Sequence, residues 1–333
     1  MNKVYIIAEA GVNHNGSLEN ALRLCDKAKE AGVDAVKFQT WKTKNVILKG
    51  TSKASYQEKN RTEGNDQYEM VEKLELSYPE FRIIKDYCDK IGIQFLSTAE
   101  ENESLDFLIS LGMPIIKIAS GDLTNIPFLR YVAKKNLPVI ISTGMASLKE
   151  VSIAYNTLVE AGAAKIAILH CTTNYPCPMN EVNLNAMKTI ESAFKCVVGY
   201  SDHTLGIEVP VSAVAMGAKI IEKHFSLDKN MEGPDHKASL DPKELKQMVT
   251  AIRNIEEALG DGLKRPNKSE QEISKVVLKR IIAKRAICKG EKLSEDNLII
   301  KRASKGIPVM NWDFVVGCKA IRDFEEDEPI ILI

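Results

Sequence analysis

Three kinds of polar side chain recur where apolar runs end in this chain: histidines, hydroxyls accompanied by a lysine, and carboxylates. His203 closes the run VVGYSDH, and His224 closes KIIEKH. The segment between them, LGIEVPVSAVAMGA, has the spacing of an amphipathic helix. Strand, helix, strand in that order normally makes the two strands parallel through a right-handed crossover. Neighbouring strands lie roughly 5 Å apart, so two imidazoles at equivalent carboxyl ends could hold one divalent ion and leave its other positions open. The same two histidines could instead cap their strands through satisfied hydrogen bonds. The other run ends decide between these readings.

The unit that positions them recurs from the N-terminus: a short apolar run, a polar residue at its end, then a helical pattern. VYIIAEAG presents Glu9, and Ser17 opens a helix through Leu22, Ala28 and Ala31 that stops at Gly32. AVKFQTW follows, with Lys37 and Gln39 two apart and therefore on one face of a strand. IQFLSTA ends at Ser97 and Thr98, PIIKIASGD supplies Ser120 and Asp122, and PVIISTG ends in Ser142, Thr143 and Gly144. KIAILHCTTNYP, VVGYSDH with Ser201, and KIIEKHF complete eight runs separated by helical segments. Near-continuous apolar runs suit a parallel sheet covered on its outer face. No G-x-G-x-x-G follows the first run, which argues against an open dinucleotide-binding sheet. The fold expected is α/β, a (β/α)8 TIM barrel, in which every strand's carboxyl end opens on one face. That face collects Glu9, Lys37, Gln39, Thr98, Ser120, Asp122, Ser142, Ser201, His203 and His224, more polar groups than a purely structural barrel requires. Glu222 shares a face with His224 and could pair with Lys37. His14 reads as a turn-stabilising residue and His170 as a packed one.

Composition sets outer bounds. The 333 residues carry 45 Lys and Arg against 45 Asp and Glu, so nothing points to nucleic acid or an anionic membrane as partner. No apolar run approaches the ~18 residues of a membrane span. Seven cysteines without a C-x-x-C pair suggest reduced thiols and a cytoplasmic protein. A thiolate zinc site at Cys171 and Cys177 is not favoured. The polar stretch from Lys42 to Gln67, including SKASYQEKN, reads as an inserted loop. Domain boundaries follow: 1–262 for the barrel, 263–273 for a linker rich in charge and turn formers, and 274–333 for a small β domain with runs RIIAKRAI, NLIIKR, KAIRDF and IILI. At about sixty residues the last part buries little surface alone.

The ordered set AEAGVNHNGS, KFQT, LSTA, KIASGD, ISTGM, HCTTNYP, GYSDHT, EKHFSLDK and GPDHKAS, followed by AKRAICKGEKLSEDNL, resembles the sialic acid synthase family across essentially the whole chain. The resemblance implies that the small β domain is a C-terminal antifreeze-like SAF domain of β-clip type. It implies condensation of phosphoenolpyruvate with an N-acylated mannosamine-type sugar: N-acetylmannosamine in an N-acetylneuraminate synthase, or alternatively 2,4-diacetamido-2,4,6-trideoxymannose in a legionaminate synthase. Carried onto this sequence, it places Mn2+ or Mg2+ on His203 and His224. Phosphoenolpyruvate falls to Lys37, Thr98, Ser120, Ser142 and Ser201, and the sugar to Gln39, Asp122, Tyr175 and Asp235. Catalysis falls to Glu9 and Lys37, with Arg302 delivered from the partner of a domain-swapped homodimer. The chain departs from the family pattern at Asp122, where many relatives carry Glu, at Glu100, where an aromatic is common, and at Thr173, where some carry a phosphate-binding Asn. Two other readings have distinct signatures. A Schiff-base aldolase would use Lys37 as nucleophile, and a non-catalytic sugar-binding SAF protein would need no metal pair beside a phosphate-binding lysine.

Overall fold

In a computed structural model, residues 3–54, 57–58 and 62–332 are described. Part of the segment SKASYQEKN lies outside them. The chain divides at Gly260/Asp261 into two units.

In the first unit the eight apolar runs form eight parallel strands: β1 (Tyr5–Gly11), β2 (Ala35–Thr40), β3 (Gln94–Ala99), β4 (Ile116–Ile118), β5 (Val139–Ser142), β6 (Ile166–Cys171), β7 (Val197–Asp202) and β8 (Ile220–His224). They pair in chain order and close through β1 and β8 into a TIM barrel, as expected. The register at closure sets the site: Glu9 stands opposite Lys37 on one side and His224 on the other. The helices between strands start and stop where the sequence provides caps. Ser77, Ser147 and Asp241 each form a capping box with a glutamate three residues on. Gly32 and Gly92 end their helices with φ of 82° and 71°, a left-handed turn that glycine adopts without strain. The apolar stripes of these helices bury Leu24, Phe81, Leu129 and Met248 against the sheet, and the core is continuous around the barrel. In the stretch expected as an inserted loop, Thr43–Val46 and Gln67–Leu74 are helical.

The second unit has its own core of Ile281, Ala283, Ile287, Leu293, Leu298, Val315, Ala320, Phe324 and Ile330. Two of the four expected β runs are strands, β9 (Lys279–Ala283) and β10 (Leu298–Arg302), paired antiparallel. KAIRDF contributes only isolated bridges, Phe324 to Ile287 and Lys319 to Lys292, and Pro329, just before the final apolar run, bridges Ile282. The segment expected as a linker turns helical at Lys268 and stays so to Val277, because Asn267 and Glu270 form a capping box. Among the described residues no helix is long and apolar enough to cross a membrane.

Candidate active site

Lys37, Lys117, Glu9 and Glu222 project from β2, β4, β1 and β8 and are nearly fully buried at the carboxyl-terminal mouth. Charged side chains are buried only when paired, and these pair closely. Lys37 Nζ lies 2.6 Å from Glu9 Oε2 and 3.8 Å from Glu222 Oε2, and donates to Thr98 Oγ1 at 3.0 Å. Lys117 Nζ lies 3.6 Å from Glu222 Oε1 and donates to Ser142 Oγ at 2.7 Å. Ser201 Oγ donates to Glu222 Oε1 at 3.1 Å, and Gln39 Nε2 donates to Glu9 Oε1 at 3.0 Å. Glu222 thus sits between the two lysines, including the pairing with Lys37 anticipated from its face.

The environment tunes each group differently. Burial, and to a lesser degree Glu222, pushes the Glu9 carboxyl up to about 7, against the pull of Lys37 and Gln39. Burial opposes the charge on Glu222, yet Lys117 and Lys37 outweigh it and hold that carboxyl below its usual value. Burial likewise opposes the charge on Lys37, but Glu222 and Glu9 raise its pKa overall. Lys117 has Glu222 at 3.6 Å but no carboxylate as near as Lys37 has in Glu9, and burial, helped by Lys37, lowers its pKa despite Glu222.

His203, one residue past β7, and His224, at the end of β8, have ring centroids 5.3 Å apart, with the Tyr175 ring 4.1 Å from His203. His203 Nδ1 donates to the Thr172 carbonyl at 2.7 Å, so the neutral ring presents its lone pair at Nε2; burial opposes the ring's charge, but Cys171 and that carbonyl raise its pKa overall. His224 is held neutral, chiefly by burial and then by the positive groups around it. Its Nδ1 is buried without a hydrogen bond, 3.8 Å from Asp235 Oδ2. A neutral ring with an orphaned nitrogen beside a second ring fixed by a backbone carbonyl is the donor chemistry a divalent ion needs. The residues therefore fit such an ion. Among the described residues no group of three His, Cys, Asp or Glu side chains converges on one point.

Glu9, Lys37, Gln39, Thr98, Ser120, Ser142, Tyr175, Ser201, His203 and His224 all line one cavity of about 130 Å³. Asp235 is buried beside His224, whereas Asp122 does not line this cavity; its Oδ1 accepts from Asn125 Nδ2 at 3.0 Å. Arg302 ends β10 in the second unit and is exposed. His14 accepts from Gly16 N–H and His170 Nε2 lies 2.9 Å from the Val182 carbonyl, the turn and packing roles expected. The residue missed is Lys117. The signal was a single lysine inside the otherwise apolar PIIKIA, which in a buried strand has to face the barrel interior and find partners there.

A closed parallel barrel whose strand ends bring two lysines, two carboxylates, three serines and two histidines into one small cavity has the architecture of a barrel enzyme. The NeuB family model matches residues 24–264 and the SAF domain model residues 280–331. The chain is 50% identical over 332 residues to N,N'-diacetyllegionaminic acid synthase of Campylobacter jejuni, covering 99% of each chain. It is 47% identical over 319 residues to the enzyme of the same name from Legionella pneumophila, covering 95% of this chain and 90% of that one. Among solved structures, N-acetylneuraminic acid synthetase of Leptospira borgpetersenii in complex with citrate matches with a TM-score of 0.71 and 38% identity, covering 82% of this chain and 90% of that one. The chain belongs to the NeuB family and carries a SAF domain.

Proposed function

We propose that the protein is a nonulosonic acid synthase that condenses phosphoenolpyruvate with an open-chain acylamino sugar and releases phosphate. The observation that carries this is the buried set of Lys37, Lys117, Glu9 and Glu222 in one cavity with His203 and His224. At about 130 Å³ that cavity is well below the ~300 Å³ of a typical ligand pocket. It suits phosphoenolpyruvate itself, with the sugar extending into the open mouth.

In the reaction C3 of phosphoenolpyruvate bonds to the aldehyde carbon, water adds at C2, and the tetrahedral carbon so formed expels phosphate. Lys117, with Ser142 and Ser120, supplies the cation and hydroxyls that a phosphate needs. Lys37, already paired with Glu9, orients that carboxylate and offsets charge near C2. Glu9, poised at about 7, exchanges the proton of the attacking water. A divalent ion on His203 and His224, Mn2+ or Mg2+, would supply Lewis acidity at the aldehyde oxygen. Tyr175, over the histidines, and Gln39 and Asp235 beside them are the chain's contacts for the sugar.

Between the two sugars, high identity over almost the whole length to two N,N'-diacetyllegionaminic acid synthases favours the 2,4-diacetamido-2,4,6-trideoxy sugar over N-acetylmannosamine. The proposal includes a homodimer in which Arg302 serves the partner's site, to be checked by light scattering and by the loss of activity in Arg302→Ala. The deciding experiment is phosphate release from phosphoenolpyruvate with Mn2+ and with EDTA, run on both sugars in parallel. Metal-dependent release at least tenfold faster with the diacetamido sugar is expected. Faster release with N-acetylmannosamine would reverse the choice of sugar, and no release with either would end the synthase reading for these substrates.

A further inference from the structure

Asp202 and Lys223 make an ion pair that the synthase chemistry leaves unused. Side chains alternate along a strand. Ser201 and His203 face the cavity on one strand and Glu222 and His224 on the next, so Asp202 and Lys223 point the other way, toward the helices. Both are completely buried there, with Lys223 Nζ 2.5 Å from Asp202 Oδ2. Two residues back on the same faces stand Tyr200 and Ile221, which belong to the apolar core. A buried ion pair stabilises a fold no more than apolar side chains of similar volume would, and often less. Stability alone therefore does not account for charges at these two positions.

The β7–β8 ladder ends with Asp202 opposite Lys223, one residue before both histidines. His203 lies beyond it, and its bonds run to the loop after β6: its ring donates to the Thr172 carbonyl, and its carbonyl accepts from the Cys177 N–H at 2.8 Å. His224 is held from the opposite side, facing Glu9 of β1, with its carbonyl accepting from the Leu240 N–H at 2.9 Å. Lys223 spans the gap between them. Its Nζ donates to Asp202 Oδ2 and to the Thr204 carbonyl. Asp202 in turn accepts from the Thr204 N–H at 3.1 Å and from Thr204 Oγ1 at 2.9 Å. The residues on either side of His203 are thus tied to the residue before His224. We propose, resting on the reading of those histidines as an ion's ligands, that the Asp202–Lys223 pair with Thr204 fixes their spacing so that both rings reach one divalent ion. None of the three lines the cavity, so they are positioning residues, and their effect falls on ion affinity.

The readout is Mn2+ binding by the full-length protein, followed by the electron paramagnetic resonance signal of the free ion, with the site defined as the binding that His224→Ala removes. Asp202→Asn combined with Lys223→Met deletes the link and both charges together. No buried charge is then left unpaired, and the new amide still accepts from the Thr204 N–H. Thr204→Val keeps the shape and removes one tie. Leu129→Ala, a core change between β4 and β5, measures the effect of general loosening. Thermal unfolding verifies that each variant is folded. The expected result is Mn2+ affinity at least about tenfold weaker in the double variant, about fivefold weaker in Thr204→Val, and within about twofold of wild type in Leu129→Ala. Affinity within about twofold of wild type in the folded double variant, or in Thr204→Val where the double variant does not fold, would overturn the clamp. Equal weakening in Leu129→Ala would overturn it too, because loosening alone would then explain the loss. If wild type shows no Mn2+ binding that His224→Ala removes, the reading of the histidines as ligands fails and the clamp falls with it.

Discussion

The two lysines of the barrel mouth are both buried, yet their surroundings differ. Lys37 has a carboxylate at 2.6 Å and a second at 3.8 Å. Lys117 has one, at 3.6 Å, and otherwise a serine hydroxyl and its neighbour's carbonyl. Burial disfavours charge on each, but the carboxylates around Lys37 raise its pKa while Lys117 falls below the usual lysine value. One lysine is therefore spent within the protein, holding Glu9 in place. The other keeps its capacity for a ligand's charge. On the synthase reading proposed above, that difference assigns proton transfer to the Lys37 half of the cavity and phosphate to the Lys117 half.

The largest effects should come from the lysines themselves. Removing one preorganised electrostatic contact to a reacting group typically costs about 2.7–4 kcal/mol, or roughly 10²- to 10³-fold in rate. Lys37→Met is expected to lose that factor in kcat, because Glu9 is then both misplaced and unpaired. Lys117→Met is expected to lose it mostly through a higher KM for phosphoenolpyruvate. Steady-state kinetics with varied phosphoenolpyruvate separates the two, and the same pattern in both variants would break the division. Glu9→Gln keeps the shape and removes the proton, so kcat should drop about 10²-fold or more with little change in KM. On the proposal that Glu9 accepts the water's proton it acts ionised, so with its pKa near 7 the wild-type kcat should fall about tenfold per pH unit below that value. The variant should lack this limb. Ser142→Ala removes one hydrogen bond to Lys117, worth about 1 kcal/mol. A rise of roughly fivefold in the KM for phosphoenolpyruvate is expected, with kcat within threefold of wild type.

The barrel was legible because eight apolar runs each ended in a polar residue, a pattern set by burial on both sheet faces. Most of the cavity was legible for the same reason, since a polar side chain at a strand's carboxyl end points into the mouth. Lys117 was not, because it lies inside its run and only the closed register shows that it meets Ser142 and Glu222. KAIRDF and IILI read as strands on residue type alone. In so small a unit the pairing partners run out after β9 and β10: KAIRDF makes only two isolated bridges, and the last such bridge is made by Pro329, just before IILI. The helix at Lys268 was hidden by its polar composition, although the Asn267 to Glu270 spacing of a capping box was present.

Asp122 gives the smallest expected effect and sharpens the boundary of the phosphate half. It follows β4, which carries Lys117, and it was expected to meet the sugar. Its carboxylate, raised by burial, instead accepts from Asn125 and does not line the cavity. Asp122→Asn keeps the size and removes the charge. With no position in the cavity, its effect on the KM for phosphoenolpyruvate should stay within about twofold, the range of a surface change. The KM for the sugar should change by no more than about threefold. A tenfold rise in the sugar KM alone would show that the acceptor reaches across the rim of β4. A matching rise for phosphoenolpyruvate would show that the charge of Asp122 is felt at Lys117, and the two halves would then not be separable.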